Sequence, residues 1–202
     1  MRCTCDALVA ASVVTTMLAC APTSDDAEPA PQDGGSDAVR RPLFQLPFPC
    51  GQQWLGQTYT GHKPNTNSID LTRVGGESSG LPIVAAFGGQ VVRARFESGG
   101  GNFVRIDHGN GWQSRYLHMI ALPVVSEGQQ VSQGQLLGHV GSTGDSSAPH
   151  LHFEEIQDGT TVRSALDGQL VTVDVGRSQT FTSMNCGGGG SGNERSDPIR
   201  LP

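Results

Sequence analysis

Six histidines and a scatter of carboxylates carry most of the chemistry open to this chain, and their spacing concentrates it in a few places. In Pro149-His150-Leu151-His152-Phe153-Glu154 two histidines lie two residues apart in a run with the composition of a strand. Side chains alternate across a strand, so His150, His152 and Glu154 share one face while Leu151 and Phe153 take the other. Two imidazoles on one face share a metal ion, or one binds it while the other carries protons beside it. A polar face turned to solvent has the same pattern. Asp70 is more telling, because it interrupts the apolar strand start Ile69-Asp70-Leu71. A buried carboxylate requires a partner, and a metal ion would supply one. His118 closes the run Tyr116-Leu117-His118, and His62 lies in the loop Thr60-Gly61-His62-Lys63-Pro64. Each of these two, taken alone, is compatible with an ordinary histidine.

The other candidates are weaker. Glu154 is placed either to orient a neighbouring histidine through a hydrogen bond or to stand in solvent. His108, in Asp107-His108-Gly109-Asn110, reads as structural, and His139, between Gly138 and Val140, as a surface residue. Tyr59 and Ser142 are candidates for substrate contact. No His-Glu-x-x-His helix and no Gly-x-Ser-x-Gly turn occurs, so zincin and serine-hydrolase chemistry lack their motifs.

The elements that must position these residues are short strands. Glycine (28 residues) and proline (12) are plentiful, helix-forming runs are scarce, and the expected class is all-β. Pro82 to Ala86 and Gln90 to Phe96 flank Gly88-Gly89, Asn102 to His108 follows Gly99-Gly100-Gly101, and Trp112 to His118 follows Gly109-Asn110-Gly111. These runs are rich in β-branched and aromatic residues and predict hairpins. Val124 to Val131 and Gly134 to Gly138 predict a tightly folded strand pair of the kind found in biotinyl and lipoyl carrier domains. A carrier needs a lysine at the hairpin tip, and this stretch has none.

The chain ends read differently from its middle. Arg2, the apolar stretch Ala7 to Leu18 and the small residues around Cys20 have the order of an export signal, too short to span a bilayer. Met17-Leu18-Ala19-Cys20 resembles a lipobox, with Cys20 as the lipidated residue; cleavage near Ala19 or Ala21 without lipid is the alternative. The expected divisions are a signal peptide over 1–20, a disordered Pro-, Asp- and Gly-rich linker over 21–42, a folded domain over 43–186 and a flexible tail over 187–202. Of five cysteines, Cys50 and Cys186 sit at the two ends of that domain, and export favours a disulfide between them. The expected location is the periplasm or the outer membrane as a lipoprotein, with free secretion as the alternative. The net charge of −6, with Lys63 the single lysine and scattered arginines, argues against nucleic acid.

Taken together and in order, the motifs resemble a known family. Gly61-His62 through Asp70, Tyr116-Leu117-His118-Met119, and Gly141-Ser142-Thr143-Gly144 leading into His150-Leu151-His152-Phe153-Glu154 are similar to the motifs of the lysostaphin/LytM/LasA-type metallopeptidases. The similarity runs from about Phe48 to Glu155 and includes Ile106 to Gly111 and the Glu127-Gly128-Gln129 turn. It implies a β-sandwich of the duplicated hybrid motif and a zinc endopeptidase of bacterial peptidoglycan, acting as a monomer on cross-link peptides. Carried over residue by residue, it implies one Zn2+ held by His62, Asp70 and His152, with His118 and His150 beside the reacting water. Two histidines and a carboxylate leave a fourth tetrahedral position for water, the pattern of a catalytic rather than a structural zinc site. The interval from His62 to Asp70 is longer than in many members. A second implied class is an inactive relative that binds peptidoglycan or activates another wall hydrolase, but such relatives usually lose site residues and here all five positions are filled.

Overall fold

The computed structural model describes residues 40–187. The export signal, the lipobox-like segment, most of the expected linker and the tail beyond Gly187 lie outside the described residues. Within them the chain forms thirteen strands and no helix, as the all-β expectation requires. The strands are β1 (Gln53–Gln57), β2 (Ile69–Arg73), β3 (Pro82–Val84), β4 (Gly89–Glu97), β5 (Gly101–Gly109), β6 (Trp112–Met119) and β7 (Gln130–Val131). After them come β8 (Leu136–His139), β9 (Leu151–Gln157), β10 (Thr160–Val162), β11 (Ala165–Leu166), β12 (Gln169–Leu170) and β13 (Gln179–Thr182).

The main sheet is antiparallel, in the order β13-β1-β2-β9-β6-β5-β4-β7, with β10 beside β9. Its hairpins are set by turn chemistry. Asn110-Gly111 joins β5 to β6 with φ of 51° and 79°, a pair of left-handed residues that matches the twist of the strands it connects. Asp158-Gly159 does the same between β9 and β10, and Asp167-Gly168 between β11 and β12. Strand β9 is central, and six of its seven residues are buried.

Two sequence expectations are corrected. Pro82 to Ala86 does not fold back on Gln90 to Phe96: β3 pairs with β8 in a separate two-stranded sheet, while β4 pairs with β5 and β7. Nor do the segments Val124 to Val131 and Gly134 to Gly138 form a strand ladder with each other: Val124 N–H donates to the Leu137 carbonyl at 3.0 Å, but β7 joins the main sheet and β8 joins β3. The physical reason lies at Gly89, where a Cβ would stand 2.3 Å from the Asp107 carbonyl oxygen. That glycine serves a close strand approach rather than a hairpin turn.

The small sheet contributes Ile83 and Leu137 to the same buried cluster as Val104, Ile106, Tyr116 and Phe153 of the main sheet. Each large apolar side chain fully buried there contributes roughly 1.5–3 kcal/mol. Ahead of β1, Phe44, Leu46 and Phe48 are fully buried, and Phe48 stacks on Trp54 at 3.4 Å. Cys50 and Cys186, 136 residues apart, are joined as expected. Beside them Ser183 donates to the Phe48 carbonyl at 2.7 Å, and Asn185 donates to the carbonyls of Leu46 and Ala85.

Candidate metal centre

The register of the main sheet assembles the site. Strand β9 runs between β2 and β6, so Asp70 pairs with His152 and His152 pairs with Leu117 in one row across three strands. Directly opposed residues in such a sheet have their side chains about 5 Å apart. Regular alternation would then turn His118 away from His152. It does not, because β6 carries an irregularity: Tyr116 to Met119 takes three steps where its partner, Val104 to Asn102, takes two. His118 has φ of 63°, and the extra residue swings its ring toward His150, with centroids 4.9 Å apart. A bulge of this kind re-aims a side chain at a strand end. The left-handed backbone costs about 1–2 kcal/mol for a residue with a Cβ, so the surroundings must hold it there.

His62 arrives from the long loop between β1 and β2. That loop is pinned, not loose: Asn65 and Asn67 both donate side-chain amides to the Thr161 carbonyl, at 3.0 and 3.3 Å. Its histidine is buried and stacked under Tyr59 at 4.3 Å. The extra residues between His62 and Asp70 therefore leave the first histidine in the site.

Three atoms converge. His62 Nε2 lies 2.9 Å from His152 Nδ1 and 3.1 Å from Asp70 Oδ1, and His152 Nδ1 lies 3.0 Å from the same oxygen. Proton accounting shows what faces the centre of this triangle. Thr58 Oγ1 donates to the Thr66 carbonyl at 3.2 Å, so at 3.0 Å it accepts the Nδ1–H of His62 and leaves Nε2 as a bare lone pair. His152 Nε2–H donates to Glu154 Oε1 at 3.2 Å, which leaves its Nδ1 bare as well. Two lone pairs and a carboxylate oxygen facing one another within about 3 Å repel unless a cation sits between them. A triangle of this size is also the base of a tetrahedron for an ion about 2 Å from each ligand. The donor set therefore fits a zinc ion.

The electrostatics agree. Burial alone would push the Asp70 carboxyl up, but its close contacts with the rings of His150, His152 and His62, each able to take a positive charge, hold it far below the usual carboxylate range. Burial disfavours the charged form of His152, yet the carboxylates of Asp70 and Glu154 pull its pKa upward. The same balance against Asp70 raises His150. The centre thus attracts positive charge, and protons compete with a metal for it.

His118 and His150 hold the outer side of the site. His150 Nδ1–H donates to the Ala148 carbonyl at 2.8 Å, and its Nε2 lies 3.4 Å from Asp70 Oδ1. Burial, only partly offset by the Thr143 carbonyl, pushes the His118 pKa down to about 4, so its ring is neutral at pH 7. A groove of about 490 Å³ opens over His62, His118 and His152, walled by Tyr59, Glu97 and Arg115. All five residues singled out in the sequence are therefore in one place. Glu154 is buried and holds His152, taking further support from Thr161 at 2.9 Å and Arg115 at 3.5 Å. Tyr59 lines the groove, whereas Ser142 is bonded to Ser146. His108 is structural: it bridges the Gly88 carbonyl at 2.8 Å and Ser114 at 2.7 Å. Sequence reading missed Thr58, Arg115 and Thr161.

Comparison with known proteins matches the segment that carries four of these five residues. Residues 67–163 match the model of Peptidase family M23. Peptidoglycan DD-endopeptidase ShyA of Vibrio cholerae is 42% identical over 85 residues, 42% of this chain and 20% of that protein. Glycyl-glycine endopeptidase ALE-1 of Staphylococcus capitis is 32% identical over 111 residues, 54% of this chain and 31% of that protein. The chain thus spans less than a third of either relative. Among solved structures, a zinc containing peptidase from Vibrio cholerae superposes with a TM-score of 0.51 at 25% identity, over 63% of this chain and 41% of that one. The M23 metalloprotease Pseudoalterin superposes with a TM-score of 0.51 at 27% identity, over 62% and 78%. The matched segment runs from β2 to β10, just under half of the chain, and contains Asp70, His118, His150 and His152, so that this segment is similar to Peptidase family M23.

Proposed function

We propose that this domain is a zinc-dependent endopeptidase that hydrolyses peptide bonds in peptidoglycan cross-links. The observation that carries the reading is the convergence of His62 Nε2, His152 Nδ1 and Asp70 Oδ1, with the protons of both rings committed elsewhere. These three residues would hold one zinc ion, which supplies Lewis acidity to the scissile carbonyl and brings the pKa of a water to about 7. The protein supplies the rest. His118 and His150 each point a second ring nitrogen away from a backbone carbonyl, Thr143 for one and Ala148 for the other. A neutral imidazole so held accepts the proton of the attacking water and later delivers it to the departing amine. Its neighbour donates to the oxyanion that develops on the carbonyl oxygen. Tyr59 and Arg115 line the groove in which the peptide would lie.

The substrate class is supported by relatives named for peptidoglycan DD-endopeptidase and glycyl-glycine endopeptidase activity. The export-like N-terminus supports a periplasmic or outer-membrane lipoprotein, anchored through Cys20 and acting as a monomer on the wall. Zinc content and muropeptide release, measured for wild type and His152→Ala, test the function: one zinc and release only in the wild type are expected. Equal activity in both proteins would sink it. Mass analysis of the mature N-terminus tests the anchor, a diacylglyceryl cysteine at position 20 being the expected result and an unmodified N-terminus the contrary one.

A further inference from the structure

The Gly141-Ser142-Thr143-Gly144 motif is the part of the sequence that the zinc site itself does not explain. None of its side chains reaches the converging ligand atoms. Its carbonyl at Thr143, however, accepts the Nδ1–H of His118 at 2.7 Å. That carbonyl is fixed by the side chain of the same residue. Thr143 Oγ1 donates to the Met119 carbonyl at 2.8 Å and accepts the Asn102 N–H at 2.9 Å, bridging the ends of β6 and β5. The backbones interlock as well: a Cβ on Gly101 would lie 2.4 Å from the Thr143 carbonyl oxygen, and one on Gly144 would lie 2.3 Å from the Gly101 nitrogen. His118 is meanwhile held in its left-handed conformation by its own N–H, which donates to the Gly100 carbonyl at 2.9 Å.

We propose that Thr143 is a positioning residue for His118, its hydroxyl locking the carbonyl that keeps the ring in the Nδ1–H form with the Nε2 lone pair facing the groove. The inference rests on His118 acting as a proton carrier. A ring in the other tautomer would present an N–H to the attacking water and could not take its proton. The hydroxyl acts at one remove, without touching substrate or metal. Freed of its two strand contacts, the carbonyl shifts, and displacement of a catalytic group by about 1 Å costs on the order of 10²-fold in rate.

The test compares wild type, Thr143→Val and Thr143→Ser in the full zinc-loaded chain. Three readouts are taken: zinc content, muropeptide kinetics, and the His118 tautomer from nitrogen-15 chemical shifts. Thr143→Val keeps the shape and loses both hydrogen bonds. Its kcat is expected to fall about 10- to 100-fold with KM within about twofold and zinc content unchanged, while His118 becomes a mixture of tautomers. Thr143→Ser restores the hydroxyl and is expected to recover kcat to within about threefold. Unchanged kcat and tautomer in Thr143→Val would overturn the assignment, as would loss of zinc in proportion to activity. If Thr143→Val fails to fold, the wild-type spectrum still decides: an Nε2–H ring at His118 overturns the proposal and an Nδ1–H ring supports it. A wild type with the Nδ1–H ring that cleaves no muropeptide would refute the peptidase reading and leave the positioning of His118 supported.

Discussion

His152 donates its Nε2 proton to Glu154 at 3.2 Å, and that one hydrogen bond decides which nitrogen of the ring faces Asp70. Glu154 is 2% exposed and itself held by Thr161 and Arg115, so the acceptor is rigid as well as charged. Burial would raise its carboxyl pKa, but the His152 contact and the Arg115 charge bring it below the ordinary value and keep it ionised. A buried carboxylate behind a ligating imidazole raises the ligand's basicity and fixes its tautomer.

Glu154→Ala is therefore expected to weaken zinc binding by roughly 10- to 100-fold. Glu154→Gln keeps an acceptor oxygen without the charge and should fall between the variant and wild type. Competition with a metal chelator measures this directly. If Glu154→Ala binds zinc as tightly as wild type, the hydrogen bond does not tune the ligand.

The five site residues should separate into two groups on substitution. His152→Ala removes a converging nitrogen and should lose both metal and activity, since His62 and Asp70 alone offer only two ligands. His118→Ala should keep its zinc and lose about 10²- to 10⁴-fold in kcat, the usual contribution of a positioned proton carrier. Metal analysis beside single-turnover kinetics distinguishes the groups. Loss of zinc in His118→Ala would place that ring among the ligands instead.

Much of this site was readable from side-chain alternation. The period of two placed His150, His152 and Glu154 on one face, and an acidic residue inside an apolar strand start pointed to Asp70. The longer His62 loop was legible only as a loop, because its anchors, Asn65 and Asn67 on the Thr161 carbonyl, lie more than ninety residues away in the chain. His118 broke the alternation rule through a bulge that no local pattern announces. Hydroxyl partners such as Thr58 and Thr143 carry no periodic signature, since they act through short-range geometry. In the fold, Asn110-Gly111 marks a hairpin turn in the sequence itself, and Asp158-Gly159 and Asp167-Gly168 carry the same left-handed pair. The pairing of β3 with β8 was not legible, because sequence adjacency favoured β4 and only tertiary packing selects the distant partner.

His108 makes the fold acid-sensitive apart from the metal centre. Packed edge-on against Phe44, it donates Nδ1–H to the Gly88 carbonyl, and its Nε2 meets Ser114, which in turn meets Tyr116 at 2.9 Å. Burial drives its pKa down from 6.5 to about 4, against the raising effects of the Gly88 carbonyl and Asp107. Between these values the unfolded chain binds a proton that the folded chain does not, so stability rises with pH across the window and is lost as pH falls through it. The slope has an upper limit of about 1.4 kcal/mol per pH unit from one group. Urea unfolding of metal-free protein from pH 7 to 4 should show a shallower pH slope in His108→Gln than in wild type. Parallel slopes in the two proteins would remove His108 as the cause.

Two glycines of equal backbone conformation separate strain from collision. Gly144 and Gly176 have φ of 75° and 80°, both in the left-handed region. A Cβ on Gly176 meets nothing within 4 Å, so Gly176→Ala should cost only the conformational penalty, about 1–2 kcal/mol. A Cβ on Gly144 would lie 2.3 Å from the Gly101 nitrogen and 2.5 Å from the Gly99 carbonyl oxygen, both backbone atoms that cannot swing aside. Gly144→Ala should add an overpacking cost of about 1–3 kcal/mol to the same penalty, and because the displaced loop carries the Thr143 carbonyl, it should lower kcat as well. Denaturation midpoints and muropeptide kinetics of the two variants check both parts. Equal destabilisation in the pair would mean that the loop yields without resistance, and the interlock of Gly144 with Gly101 would then have no role in holding His118.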